Sequence, residues 1–245
     1  VIILKNSDMS NISLLIINRN YSNYIKEALD SILNQSKLPK EIVIIDDYST
    51  DSSFSKYIEL QNYIYGNNLN IDLIVTYNSS RKGVIACRNI AVNHSSCDYL
   101  CFLDADDYIS TTYLEDTSRI LDNNQEIGIV YTDFILFDQF APPRYYDVPQ
   151  EEKGGEIQKG YFKRTFPEFN EESKKLLQNR NFIHGGSIFR RKCFEDISGY
   201  IKSDIPEDYS LYKRIVNFGW NAKKCNTCLL FYRQHSNKQF NITGE

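Results

Sequence analysis

Short apolar runs and amphipathic stretches alternate along the first half of the chain. Residues 12–17 (ISLLII) and 41–46 (EIVIID) are continuous runs rich in β-branched residues, the pattern of strands buried on both faces. Between them Tyr24, Ile25, Ala28, Leu29, Ile32 and Leu33 recur at three- and four-residue spacing, which predicts a helix with Ser22 as its N-cap. A second helix, capped by Asp51 or Ser52, carries Phe54, Tyr57, Ile58, Leu60 and Tyr63. Further strands are predicted at 71–77, 98–104 and 127–133, and helices at 84–92 and 113–121. Regular alternation with short connections predicts an α/β fold, a mainly parallel sheet covered by helices on both faces.

The pattern weakens after Phe134. Residues 138–180 contain Pro142-Pro143, Gly154-Gly155 and many charges, and read as a long excursion with one helix near 171–179. Strand character returns at 181–189, a helix follows at 207–218, and a last strand lies near 225–232.

Composition narrows the picture modestly. With 245 residues and 42% hydrophobic content, the chain can bury a substantial core and is not globally disordered. The net charge of -4 gives no case for nucleic acid, and Arg190-Arg191-Lys192 reads as a solvated face. No apolar run reaches the roughly 18 residues of a membrane helix, and VIILKNSD lacks a signal-peptide pattern. The chain opens on Val1, with Met9 its only methionine, and so reads as an excised part of a longer protein. Cys87, Cys97, Cys101, Cys193, Cys225 and Cys228 read as buried, reduced thiols of a cytosolic protein. Cys225-x-x-Cys228 has no second pair and no matching His, so zinc is not indicated.

Acidic residues gather where strands end. Asp46-Asp47 closes the second strand, and Asp104, Asp106 and Asp107 close the fourth. In open parallel sheets ligands bind beyond those carboxyl ends. The first strand ends in Asn18-Arg19-Asn20-Tyr21 without glycine, which excludes a dinucleotide fingerprint, and no P-loop is present. Phosphate must be held some other way, and a divalent cation is the obvious candidate. Extended backbone would put Asp104 and Asp106 on one face, and hard carboxylate oxygens suit Mg²⁺ or Mn²⁺. The spacing leaves open whether Asp106 or Asp107 serves a metal or caps the next helix. Glu207-Asp208 is likewise open between a helix cap and a general base held ionised by the helix N-terminus.

Six segments in order resemble the family-2 glycosyltransferases of the GT-A fold over roughly residues 12–235. They are INRNYSNYIKEALDSILNQS, VIIDDYSTDSS, GVIACRNIAV, the Asp-x-Asp segment FLDADDYIS, PEDYSLYKRIVNFGW and YRQH. The resemblance implies a single GT-A domain in which 12–133 binds the nucleotide sugar and 134–245 the acceptor. It implies inverting transfer from a nucleotide-sugar donor, UDP-linked, to a hydroxyl of a glycan or lipid-linked saccharide. A composition rich in Asn, Ile, Lys and Tyr suggests an AT-rich bacterial genome, which fits surface glycan synthesis in the cytoplasm or peripherally at the inner membrane face.

Carried over residue by residue, the resemblance assigns nucleotide contacts to Asn18, Arg19, Asn20, Asp46, Asp47, Arg88, Asn89, Asp104 and Arg233. It assigns Mg²⁺ or Mn²⁺ to Asp104, Asp106 and His235, and the general base to Asp208, with Glu207 as the alternative. Arg19 stands where the family commonly places a Tyr that stacks on the base; guanidinium can stack too, and Tyr21 is a substitute. His94 reads as surface. His184, before Gly185-Gly186, reads either as an acceptor contact or as a hydrogen-bonded structural histidine. Tyr145, Tyr146, Tyr161 and Phe162 either shape acceptor specificity or simply pack. Two rival readings remain. A sugar nucleotidyltransferase needs a Gly-rich turn with a basic residue after the first strand, which is absent. A non-catalytic scaffold is opposed by the intact Asp104, Asp106 and Asp208.

Overall fold

A computed structural model describes residues 11–236. Val1, Met9 and the last residues of the expected acceptor half, 237–245, lie outside the described residues. Strands β1 (Ile12–Asn18), β2 (Glu41–Asp46) and β3 (Asp72–Tyr77) pair in parallel, joined by helices α1 (Ile25–Leu33) and α2 (Ser53–Gly66). Helix α3 (Val84–His94) then leads to β4 (Tyr99–Phe102), parallel to β1 on its other side. β2 and β4 are buried at every position, as their unbroken apolar runs require of strands covered on both faces.

Two helix starts depend on one carboxylate. α1 begins at Ile25 with no side-chain cap, so Ser22 does not cap it: the Ser22 N–H donates instead to Asp51 Oδ2 at 2.8 Å. Asp51 Oδ1 accepts the Ser53 N–H at 3.0 Å and so holds the first turn of α2. On α2 only Tyr57, Leu60 and Ile64 of the large residues are buried, and Phe54, Ile58 and Tyr63 face outward.

A two-residue strand β5 (Tyr108–Ile109) precedes α4 (Tyr113–Asn123). Strand β6 (Ile127–Phe137) is longer than the sequence pattern suggests and fully buried. The expected irregular excursion is largely ordered. It forms α5 (Ala141–Tyr146), the hairpin β7 (Lys153–Gln158) and β8 (Tyr161–Arg164), and α6 (Glu171–Leu176). β8 pairs with the far half of β6. β7 is mostly exposed, so it carries no apolar alternation to betray it.

Residues 181–187 are a loop rather than a strand, and pairing begins only at β9 (Ile188–Arg190). The loop carbonyls bond to side chains instead: Tyr212 Oη donates to the Gly185 carbonyl at 3.3 Å and Tyr113 Oη to that of Gly186 at 2.9 Å. β9 lies antiparallel between β4 and β6. After α7 (Arg191–Asp196) and α8 (Glu207–Phe218), β10 (Asn221–Arg233) runs parallel to β6 and receives β5 on its other edge. The sheet order is β3-β2-β1-β4-β9-β6-β10-β5, with the hairpin attached at β6.

Arg190 and Arg191 are structural, not solvated. Their guanidiniums donate to the carbonyls of Leu121, Asn124, Ile127, Val92 and Cys97, locking the chain around β9. All six cysteines are buried free thiols. Among the described residues, no helix is long and apolar enough to cross a membrane.

Candidate active site

A cleft of about 450 Å³ opens beyond the carboxyl ends of β1, β2 and β4 and is closed on its far side by the 181–187 loop and the start of α8. Its lining includes Arg19, Tyr21, Asp47, Arg88, Asp104, Asp106, Asp107, Glu207 and Asp208.

The acidic segment is a turn. The Asp107 N–H donates to the Asp104 carbonyl at 3.0 Å, so a reversal of the chain gathers the carboxylates, not the side-chain alternation of a strand. Ligand oxygens of Asp104, Asp106 and Asp107 lie within 4.8 Å of one another. The helix-cap alternative is excluded, because β5 intervenes and the N-cap of α4 is Thr112. Arg233 braces this turn from behind. Its N–H donates to Asp107 Oδ1 at 2.9 Å and its Nε to the Asp106 carbonyl at 2.8 Å, while its terminal nitrogens pair with Asp138 and Glu27. His235 Nε2 lies 3.1 Å from Asp106 Oδ2 and its ring stacks on Tyr24. This contact braces Asp106. An all-oxygen set of three carboxylates, two of them buried, fits a hard cation such as Mg²⁺ or Mn²⁺.

Arg88 links this cluster to α8. Its Nη2 lies 3.2 Å from Asp104 Oδ1 and 3.3 Å from Glu207 Oε1. Its guanidinium sits over Phe102 at 4.8 Å, and among the described residues Nε and Nη1 have no hydrogen-bond partner. Asp208 stands beside it, with Oδ1 accepting the Tyr209 N–H at 2.6 Å. Part of Asp208 faces the cleft, yet protein surrounds it closely. Burial and then the Glu207 charge push its carboxyl up to about 7, against the opposing pull of Arg88. Burial thus outweighs the helix N-terminus that the sequence suggested would keep Asp208 ionised. A Cβ at Gly185 would lie 3.4 Å from Asp208 Oδ2, so glycine keeps the approach to this carboxylate open.

Asp47 lines the opposite wall. It accepts the N–H groups of Lys82 at 2.8 Å and Gly83 at 2.9 Å, and the Asn78 amide at 2.9 Å. Burial opposes its ionisation, but these donors outweigh it and hold the carboxyl below its usual range. Gly83 adopts φ +83°, which favours glycine at this turn into α3. Tyr48, just after the Asp46-Asp47 pair, is held at φ +64°, a strained conformation for an aromatic residue.

Five of the residues expected at the nucleotide do not line the cleft, Arg233 behind the acidic turn among them. Asp46 is buried and engaged by Tyr57 Oη at 2.7 Å, the Ser49 N–H at 2.7 Å and Asn18 Nδ2 at 3.2 Å. Asn18 and Asn20 fasten β1 to the 49–53 segment through Ser53 Oγ and the Thr50 N–H. Asn89 clasps the Tyr200 main chain at both its N–H and its carbonyl. Asn18, Asn20 and Asp46 tie the end of β1 to the end of β2 and the segment after it, and Asn89 ties α3 to the chain before α8; such pairings are invisible in a linear motif. The expected aromatic acceptor shelf also falls elsewhere. Tyr145 stacks on Phe162 and Tyr161 on Phe137, away from the cleft, while Phe134, Arg164, Phe166 and Phe182 line it. His94 is exposed, as expected.

A helix-flanked, mostly parallel sheet is shared with known proteins. The family model for glycosyl transferase family 2 matches residues 13–198. The chain belongs to that family. It is 26% identical over 229 residues to the UDP-Glc:alpha-D-GlcNAc-diphosphoundecaprenol beta-1,3-glucosyltransferase WfaP of Escherichia coli, covering 93% of this chain and 79% of that protein. It is also 26% identical over 209 residues to the chondroitin synthase of Pasteurella multocida, covering 85% of this chain and 19% of the synthase. In structure it resembles S. aureus TarS 1–349 in complex with UDP-GlcNAc, with a TM-score of 0.70, 18% identity, and coverage of 94% of this chain and 60% of TarS 1–349. The Pyrobaculum calidifontis mannosyltransferase PcManGT, in complex with GDP-Man and Mn2+, gives a TM-score of 0.66 at 17% identity over 94% of this chain and 59% of its own. These two likenesses establish the GT-A-type fold.

Proposed function

We propose that this chain transfers a sugar from a nucleoside-diphosphate sugar, UDP-linked, to a hydroxyl of a glycan or lipid-linked saccharide, with inversion. The observation that carries the reading is convergence: the Asp104–Asp106–Asp107 turn, Arg88 and the Glu207–Asp208 pair meet on one cleft although they come from distant parts of the chain. Family membership and the printed activity of WfaP support it.

Asp104 and Asp106 would hold Mg²⁺ or Mn²⁺, with Asp107 close by, and the cation would neutralise charge on the departing diphosphate. Asp47, Arg19 and Tyr21 would take the nucleoside end, and Arg88 would fix Asp104 and Glu207 relative to each other. Asp208 would accept the proton of the attacking hydroxyl as that oxygen displaces the nucleotide in line, so one displacement inverts the anomeric centre. A carboxyl poised at about 7 can hold and release that proton near neutral pH. Asn18, Asn20, Asp46, Asn89, Arg233 and His235 would position these groups without touching the donor. The half before Phe134 would bind the donor and the half after it the acceptor. Six buried thiols fit a reducing compartment such as the cytoplasm, where a lipid-linked acceptor could be met at the membrane face.

The test is a thermal-shift panel of UDP, GDP, CMP and dTDP with and without Mn²⁺. A ligand at about 100-fold its Kd stabilises by about 2.7 kcal/mol, a shift of roughly 5–10 °C for a chain of this size. One nucleotide should stabilise only with metal, and Asp106→Ala should remove the shift. A flat panel for the wild type would sink the reading.

A further inference from the structure

Two thiols meet on β10, outside the chemistry of the cleft. On a regular strand, residues three apart point to opposite faces. Here the register of β10 against β6 shifts between Cys225 and Leu230. Such an irregularity re-aims side chains, and both Cys225 and Cys228 are turned inward, 3% and 2% exposed. Cys228 Sγ donates to Cys225 Sγ at 3.5 Å. The other thiols have different neighbours. Cys87 accepts from the Asn78 amide, Cys101 and Cys193 donate to main-chain carbonyls, and Cys97 is buried near Ser13 and Glu41.

A path for a proton leads away from the pair. Cys225 Sγ lies 3.3 Å from Thr227 Oγ1, and that hydroxyl donates to Asp116 Oδ2 at 2.9 Å. Thr227 has one hydrogen, so toward Cys225 it accepts. One chain of hydrogen bonds therefore runs from Cys228 through Cys225 and Thr227 to the Asp116 carboxylate. The Cys228 hydrogen bond outweighs burial and holds the Cys225 thiol below its usual range, while the same bond and burial raise Cys228. The thiolate is the nucleophile in sulfur chemistry, so Cys225 is the attacking sulfur and Cys228 the resolving one. Asn226 and Thr227, between the two cysteines, are exposed. An oxidant the size of water meets Cys225 through a local opening of this segment, whose outer residues already stand in solvent.

We infer that Cys225 and Cys228 are a peroxide-sensitive pair that closes to a disulfide in the folded protein. The Cys225 proton passes through Thr227 to Asp116. The thiolate attacks one oxygen of hydrogen peroxide, an S–O bond forms and the O–O bond breaks. Hydroxide leaves, takes up the proton from Asp116 and departs as water. The Cys228 sulfur then attacks the sulfenic sulfur of Cys225. The S–S bond forms, the S–O bond breaks, and hydroxide leaves with the Cys228 proton as a second water. Each sulfur gives up one electron and the peroxide takes both. A dithiol reductant reverses the closure, so in a reducing compartment the pair rests as thiols. None of these steps uses a cleft residue, and the inference stands apart from the transferase reading.

The experiment treats the folded protein with hydrogen peroxide for increasing times, quenches it, and blocks the remaining thiols with N-ethylmaleimide in denaturant. Trypsin cuts after Lys224 and Arg233, so one peptide carries both cysteines. In the wild type that peptide should become unblocked and lighter by two hydrogens, at least about 10-fold faster than Cys87, Cys97, Cys101 or Cys193 is oxidised. Dithiothreitol should return it to the blocked form. Cys228→Ser removes the resolving sulfur and should stop at the sulfenic acid, captured by dimedone on Cys225. Closure no faster than oxidation of the other thiols, or closure seen only when urea unfolds the protein, overturns the inference. So does dimedone capture in Cys228→Ser at a cysteine other than Cys225. The wild-type time course decides the question even where the variant fails to fold.

Discussion

Asp208 shows how a single residue draws its chemistry from its surroundings. An isolated carboxyl in the first turn of a helix is favoured as an anion. Here burial and Glu207 dominate, and the group titrates at about 7. Between about pH 4 and 7 the native state keeps a proton that the unfolded chain has released, so stability falls as pH rises through that window. Asp208→Asn should therefore raise the melting temperature of the ligand-free protein at about pH 8 and leave it near wild type at about pH 4. The same substitution should cost roughly 10²- to 10⁴-fold in transfer, whereas wild-type transfer should rise with pH through about 7. Melting curves at the two pH values and a pH–rate profile check both. A melting temperature lowered at pH 8 would mean that Asp208 is structural.

At the scale of elements, β6 organises the second half. It pairs with β9 and then β8 along one edge and with β10 along the other. Close packing at its start depends on Gly128, where a Cβ would fall 2.6 Å from Cys193 Sγ and 2.9 Å from Trp220 Cβ. Both neighbours are held in place, Cys193 by full burial in α7 and Trp220 by its Nε1 donating to Asp196. Gly128→Ala should destabilise by about 1–3 kcal/mol through overpacking, a fall of roughly 3–10 °C in melting temperature. Calorimetry checks this, and an unchanged transition would mean that the α7–β6 contact yields without cost.

Across the whole molecule, the two halves of the chain share one core. A single hydrophobic cluster runs from Ile12 on β1 to Leu230 on β10 and includes residues of every sheet strand except β3 and the exposed β7. The two halves should therefore unfold in one cooperative transition, and donor with metal should move that transition as a unit. Two resolved transitions in calorimetry, with only one responding to nucleotide, would show instead that the halves are thermodynamically separate.

What the sequence determined by itself was local in origin. Apolar periodicity in the first half gave β1 to β4 and α1 to α4 but not the two-residue β5, because the former build βαβ units whose burial is written in neighbouring residues. Ordered motifs singled out Asp104, Asp106, Arg88 and the Glu207–Asp208 pair, but not the turn that gathers the acidic residues. Tertiary structure decided what depends on distant partners. The hairpin β7–β8 is held by the edge of β6 rather than by its own polar residues, and 181–187 is a loop because Tyr113 and Tyr212 satisfy its carbonyls. Only the fold could show that Asn18, Asn20, Asp46 and Asn89 tie separate segments together away from the cleft. A hydrogen-bond network leaves no period in a sequence, because its members need share only a place in space.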